Sequence, residues 1–463
     1  MTNTPDSPRQ ITLSAFTMGC SGHQSLGTWA LPGEKSRHYN TLGYWTDLAR
    51  LLDRGGFDTL FIADVLGVYD VYGDSPDAAL RSGAQVPLID PLPALAAMAA
   101  VTENLGFGAT VATTYERPYA FARTMSSLDH LTGGRVGWNI VTSYLESAAR
   151  NLGLDSQVAH DKRYEIADEF MDVCYKLWEG SWEDDAVVLD ERSQLYTDPD
   201  KVHPIEHHGE YFDVPGIALT EPSPQRTPVL FQAGASPRGI EFAGKHAELS
   251  FVVGDTPESV RTTVDRIRAS GAEKGRSRDD LKVLAGVAVV VAETDHAARA
   301  LLDQYEAAGN AEGGLTLFGG WTGLDLAKID STVPMDSTGG DAIRSATAMF
   351  GAKDWTAEEL GQYIAVGGFT PVIVGDPQTV TDELERWIDV AGIDGFNLTS
   401  IHMPHSYESF IELVVPELRK RGRLRDGPAE GDTLREKLGF GGPHLQNHRA
   451  AEIRHAREKI LAD

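Results

Sequence analysis

The chain has 463 residues, 41% of them hydrophobic and 24% charged, an ordinary globular balance with ample material for a core. That length fits one large domain with insertions or two to three ordinary ones. A formal net charge of −27 repels nucleic-acid phosphates and anionic membranes, so neither is expected as a partner.

Cys20 and Cys174 are the only cysteines, too few for a disulfide framework or a zinc knuckle. The opening MTNTPDSPRQ has no basic and then apolar segment of the kind that directs secretion. No apolar run approaches the ~20 residues needed to cross a bilayer. The cytoplasm is the expected location.

In chain order, residues 10–16 (QITLSAF) read as a strand. Residues 41–53 put Trp45, Leu48, Leu51 and Leu52 on one helical face, and Gly55-Gly56 ends the run. Residues 59–63 (TLFIA) suit a short strand buried on both faces. Asp90-Pro91 opens a helix, with Asp to cap and Pro at the first helical position. Residues 106–112 (GFGATVA) are a third strand, Pro118 to Gly133-Gly134 the next helix, and 136–141 (VGWNIV) a fourth strand. The pattern resumes with strands at 229–233, 249–253, 283–291 and 395–399, and helices near 238–247, 257–273, 295–308 and 406–420. Eight strands alternating with helices predict an α/β fold, a (β/α)8 TIM barrel, with an open doubly wound sheet as the alternative.

Two stretches break the rhythm: about 144–228 after the fourth strand and about 311–372 after the seventh. The first holds one good helix, about 160–179, and then a polar segment; the second is rich in Gly, Thr and Asp. Loops of such length serve as lids or binding segments, and in a barrel they overlie the C-terminal mouth. The expected organisation is a single barrel domain over 1–422 and a C-terminal extension over 423–463. The extension ends in a charged helical run, either an oligomer arm or a frayed end.

No GxxxxGK[ST] is present, and no GxGxxG sits between a strand and a helix. Gly106 to Gly108 is GxG only. At Ser236-Pro237 a helix starts just after a strand, either as an ordinary capped turn or as a backbone N–H site for a phosphate monoester. His203, His207 and His208 cluster in a polar loop around Pro204, which suits surface histidines better than a metal site. Asp64 ends the second strand, and Asn139, Thr142 and Ser143 end the fourth. Polar groups at strand C-termini are where barrel chemistry is placed.

Several segments resemble the two-component, FMN-dependent monooxygenase branch of the bacterial-luciferase superfamily. They are Cys20-Ser21-Gly22-His23, Phe61 to Asp64, Trp138 to Ser143, Ala159 to Tyr164, Lys176 to Trp182, Glu221 to Gly239, the 311–330 loop and Thr433 to Leu438. The branch includes nitrilotriacetate, dibenzothiophene-sulfone, long-chain alkane and dimethyl-sulfide monooxygenases. The resemblance implies a TIM barrel, reduced FMN delivered by a separate NAD(P)H:flavin reductase, O₂ as co-substrate, and a homodimer or homotetramer. It places flavin contacts on Asp64, Thr110, Asn139, His160, Tyr164 and Ser236. The candidate catalytic side chains are His23, Cys20, Tyr69, Gln85 and Tyr144, with His23 as acid/base because an imidazole exchanges protons near neutral pH. Where the alkane enzyme carries a catalytic His after the Thr-Ser of the fourth strand, this chain has Tyr144. That residue, Gly319 to Gly323 and Pro371-Val372 are more similar to the dimethyl-sulfide enzyme, so a small organosulfur substrate is expected. The alternatives are an alkane or other xenobiotic monooxygenase of the same branch, a deazaflavin (F420)-dependent oxidoreductase, and a metal-dependent TIM-barrel hydrolase built on the His203–His208 cluster.

Overall fold

A computed structural model describes residues 9–332, 334–335 and 354–462. The middle of the 311–372 insertion and most of the opening MTNTPDSPRQ lie outside the described residues. Eight strands form a ring: β1 (Thr12–Met18), β2 (Thr59–Ala63), β3 (Gly106–Ala112), β4 (Val136–Val141), β5 (Val229–Ala233), β6 (Leu249–Val252), β7 (Lys282–Val291) and β8 (Gly395–Thr399). Each pairs in parallel with its neighbours in chain order, and β8 returns to β1. The sheet therefore closes, as the (β/α)8 reading expects, and the open doubly wound sheet is excluded.

The strands are apolar on both faces because both are buried. Leu13, Ala15, Leu60, Ile62, Phe107 and Trp138 face outward into the layer shared with the helices. Phe61, Val229, Phe231, Leu249, Phe251 and Leu284 fill the inside. Helix ends carry the signals read from sequence. Thr41 caps the helix Leu42–Gly55 through Tyr44 N–H, and Gly133 ends the helix Pro118–Thr132 in the left-handed region at φ 65°.

The GxG of β3 has a packing explanation. A Cβ on Gly108 would stand 2.2 Å from the Phe231 ring, and one on Gly106 would stand 2.4 Å from Leu434. Both glycines thus make room for rings and a plug inside the barrel. The plug comes from the C-terminal extension: Leu434 and Leu438 join the interior cluster from below, with Phe440 against them. Between them Arg435 is fully buried and makes a two-pronged pair with Glu248, at 2.6 and 3.0 Å. It also donates to the carbonyls of Thr227 and Pro443. The helix Arg449–Ala462 follows, fastened by Arg454 to Glu179 at 2.8 Å and by His448 to the His246 carbonyl. As far as Arg454 the extension is neither a free arm nor a frayed end, because it closes the barrel floor.

The insertions hold more regular structure than their composition suggests. The first contains the helix Glu146–Asn151, the helix His160–Tyr175 continued by a wide turn at Lys176–Gly180, and two small ladders. The second contains the helices Ala311–Thr322 and Ala357–Ile364, and an unexpected strand, Val372–Gly375, on the upper half of β7. The helix Pro377–Ala391 follows, capped by Asp376. Glycine lowers helix propensity, yet Gly314 and Gly320 sit within Ala311–Thr322. A Cβ on Gly314 would lie 2.0 Å from the Gly361 carbonyl oxygen, and one on Gly320 would lie 1.5 Å from the Tyr69 ring. These glycines serve close approach, which composition cannot distinguish from a loop.

Arg435→Met should cost about 3–5 kcal/mol, because Glu248 is left charged and buried. Chemical denaturation reads this directly. Adding Glu248→Gln should recover part of the loss; a single variant as stable as wild type would show that the pair does not hold the floor.

Candidate active site

The C-terminal ends of β2 to β5 surround a cavity of about 400 Å³. One half is polar. Ser236 caps the helix Pro237–His246, its Oγ accepting from Gly239 N–H at 3.0 Å. His160 Nε2 stands 3.4 Å from the same oxygen. A Cβ on Gly239 would come within 3.0 Å of the Tyr164 hydroxyl and 3.1 Å of Ser236 Oγ, so glycine keeps this cradle open. The free N–H groups and dipole of a helix start favour an anion there. Burial raises the Tyr164 hydroxyl pKa, against a hydrogen bond with Ser236 and nearby Arg163 and Arg238. Arg163 lines the same cavity, and its Nε is buried without a partner.

The cradle is assembled from two helices, His160–Tyr175 and Pro237–His246. Asp168 clamps them together. Its carboxylate takes Lys245 Nζ at 2.6 Å, His246 Nε2 at 2.9 Å and the Arg238 guanidinium at 2.5 Å. These partners outweigh burial and hold the Asp168 pKa below the usual carboxylate range. His246 is fully buried and also meets the Tyr175 hydroxyl at 2.9 Å.

The other half is mainly apolar, with Val65, Leu66, Ala112, Ile140 and Val141 on its walls. Thr110 and Asn139 are register partners on β3 and β4. Thr110 Oγ1 donates to the Ile62 carbonyl and accepts from Asn139 Nδ2, each at 2.9 Å. Asn139 Oδ1 is left buried without a partner, and so is Gln232 Oε1 at the end of β5. Two orphaned acceptors on neighbouring strands are costly unless a ligand supplies donors. At the end of β2, Asp64 has its pKa raised to about 7, first by burial and then by the charge of Asp90, against one hydrogen bond from Val65 N–H.

Of the six residues expected to contact flavin, Asp64, Thr110, His160, Tyr164 and Ser236 line this cavity, and Asn139 is bonded to Thr110. The five candidate catalytic side chains form a separate group behind it. Tyr144 lines the cavity, whereas Cys20, His23, Tyr69 and Gln85 do not. The Tyr144 and Tyr69 hydroxyls share a hydrogen bond. Tyr69 also donates to Gln85 Oε1 at 3.0 Å, and Gln85 Nε2 donates to the His23 carbonyl at 3.1 Å. His23 stands edge-on to Phe16, ring centres 4.5 Å apart. Burial lowers its pKa to about 3, so the imidazole is neutral near neutral pH rather than poised to gain a proton. Burial likewise drives the Cys20 thiol pKa far up, with Asp64 adding to the shift against a hydrogen bond from Gly22 N–H, so it stays protonated.

The histidine cluster in the first insertion is dispersed. His203 meets Glu183 at 2.8 Å, His208 meets Asp213 at 2.8 Å, and His207 lies between Lys176 and Glu169. Among the described residues these side chains do not converge on one point. Sequence reading did not single out Gln232, Arg163 or the Asp168–His246 clamp. Gln232 lay inside a quoted strand end, and its polar side chain there was the available signal.

The sequence profile of the luciferase-like monooxygenases matches residues 20–394. The dimethyl-sulfide monooxygenase of Hyphomicrobium sulfonivorans is 51% identical over 97% of this chain and 94% of its own length. The long-chain alkane monooxygenase of Geobacillus thermodenitrificans is 46% identical over 98% of this chain and 100% of its own. A riboflavin lyase crystallised with modified FMN and riboflavin superimposes with a TM-score of 0.88 at 38% identity, covering 96% of this chain and 100% of that one. These relatives support the oxygenase reading and give none to the deazaflavin oxidoreductase or the metal hydrolase.

Asp64 also predicts a pH dependence. Its folded-state pKa of about 7 lies above the usual carboxylate value, so the folded form holds the proton more tightly. Its contribution to stability is therefore lost as pH rises from about 4 to about 7 and is flat above. Asp64→Asn should melt higher than wild type at pH 8, and the gap should narrow as pH falls towards 4. A gap independent of pH would contradict the raised pKa.

Proposed function

Because the chain belongs to the luciferase-like monooxygenase family, we propose that it uses reduced FMN and O₂ to oxygenate a small organosulfur compound, with dimethyl sulfide as the model substrate. The carrying observation is one cavity that joins an anion cradle at a helix start to apolar walls and the orphaned amide oxygen of Gln232, with that of Asn139 on the adjacent strand. FMN has the matching parts: a phosphate monoester, an apolar ring face and ring-edge N–H groups. Ser236, Tyr164 and His160 would hold the phosphate. Asn139 Oδ1 and Gln232 Oε1 would accept from the ring edge, while Thr110 orients Asn139 and Asp64 borders the ring. When bound, the reduced flavin supplies the two electrons that activate O₂. A separate NAD(P)H:flavin reductase would provide it, in keeping with the missing dinucleotide motif.

The chain's own residues would bind, orient and keep water out. Tyr144 offers its hydroxyl to substrate or oxygen, and Tyr69 and Gln85, bonded in line with it, orient that hydroxyl. His23, held neutral, acts as a hydrogen-bonding wall, and Cys20 as a thiol that packs. Insertion of one oxygen atom into a methyl C–H bond of dimethyl sulfide gives a hydroxymethyl thioether. This splits into methanethiol and formaldehyde. The other oxygen atom leaves as water with two electrons and two protons.

Oxygen uptake with FMN, NADH and a generic flavin reductase tests the proposal. Uptake should rise with dimethyl sulfide, and trapped formaldehyde should match the sulfide lost. Uptake that yields only hydrogen peroxide would remove the organosulfur substrate, and failure to bind reduced FMN would remove the flavin reading itself. The cradle has its own test. Glycine replaces a serine cap at a cost of only a few tenths of a kcal/mol, whereas a hydrogen bond to a charged group is worth about 1.5–3 kcal/mol. Ser236→Gly should thus weaken FMN at least tenfold and leave riboflavin affinity unchanged; equal losses for both would place the phosphate elsewhere.

A further inference from the structure

The cavity stops at Tyr144, and the two sides of that stop differ. On the inner side Tyr69 is 1% exposed and Gln85 5% exposed. Tyr69 is wedged against Gly320, where even a Cβ would overlap its ring, and its hydroxyl is tied to Gln85. Tyr144 is 42% exposed, and one hydroxyl–hydroxyl bond joins it to Tyr69. The two rings lie 6.5 Å apart and tilted by 49°, so they meet through their hydroxyls rather than by stacking. Trp321, from the same helix as Gly320, reaches both hydroxyls, and its ring sits 3.8 Å from that of Phe369. The backbone enters Tyr144 from Ser143 at φ 59°, a left-handed conformation that L side chains seldom adopt. A locked inner wall thus faces a tyrosine delivered by a strained link and latched through its hydroxyl to Tyr69 and Trp321.

We propose that Tyr144 is a specificity-determining residue: its hydroxyl bond to Tyr69 closes the inner end of the cavity and limits the substrate to a few heavy atoms. The inference rests on the reading that oxygenation takes place in this cavity. Cofactor and substrate must share its volume, and among the described residues Tyr144 stands between it and the Tyr69 and Gln85 side chains. A longer chain would have to turn Tyr144 aside and strip a partner from the buried Tyr69 hydroxyl. A two-carbon thioether would not.

The test uses the protein saturated with oxidised FMN, so that binding is read without turnover. Dimethyl, dibutyl and dioctyl sulfide are titrated into wild type, Tyr144→Phe and Tyr144→Ala, and flavin fluorescence or calorimetry reports each dissociation constant. Wild type should bind dimethyl sulfide and not dioctyl sulfide. Tyr144→Ala should bind dibutyl sulfide at least tenfold tighter than wild type does and dimethyl sulfide more weakly. Tyr144→Phe keeps the ring and loses only the latch, so it should shift the same way by less. Chain-length profiles that coincide in all three proteins would overturn the proposal. If wild type holds FMN but no thioether, the organosulfur reading fails, and the same titration with propane, hexane and dodecane decides the length limit by the same criteria.

Discussion

The space inside the barrel is the constraint on which the rest depends. Phe16, Phe61, Phe231 and Phe251 meet there, with Phe61 stacked on Phe16 at 5.0 Å and on Phe251 at 4.5 Å. Four large rings fit only because neighbouring strands give way. Gly108 and Gly137 both lack the Cβ that would press on Phe231. The rings divide the interior into a floor, closed by Leu434 and Leu438, and a mouth, where the strand ends are free to carry polar groups. The uppermost ring, Phe16, is also a wall of the His23 compartment. Packing at the centre therefore reaches chemistry at the top: the aromatic plug dries the imidazole and keeps it uncharged.

Charge is distributed along the same axis. At the floor, Arg435 and Glu248 are buried as a pair with their remaining hydrogen bonds satisfied, the arrangement in which a buried ion pair is tolerable. At the mouth, buried groups are left single. Asp64 tends to keep its proton, Asn139 and Gln232 each hold an unused acceptor, and Arg163 Nε has no partner. A folded chain bears such costs where something else completes the site.

Much of the barrel was legible because its signals are local. Thr41, Gly133 and Ser236 fix helix ends by chemistry confined to one turn, and the eight strands announce themselves as short apolar runs between such ends. The polar groups of the mouth share part of that legibility, since Asp64, Asn139 and Ser236 were read from strand ends and a helix start, whereas Thr110 came only from the resemblance. What escaped was long-range. Gly314 and Gly320 looked like loop residues, because the atoms that require their smallness belong to Gly361 and Tyr69. Asp168 carried no sequence signal, because its partners lie some 70 or more residues onward. The strand Val372–Gly375 and the helix Pro377–Ala391 were missed although Asp376-Pro377 and Gly392 mark the helix ends in the usual way.

That division has a cause in the architecture. The barrel itself supplies an anion site, a dry wall and a few strand-end polar groups, so a cofactor with a phosphate and a flat ring can be held by the framework alone. The group around Tyr144 comes from elsewhere. Tyr144 begins the first insertion, Trp321 and Gly320 belong to the second, and Tyr69 and Gln85 stand on the β2 connection. They touch only because one helix carries glycine where Tyr69 needs space. Changes in these insertions can therefore redraw the inner end of the cavity while the cradle at Ser236 stays as it is.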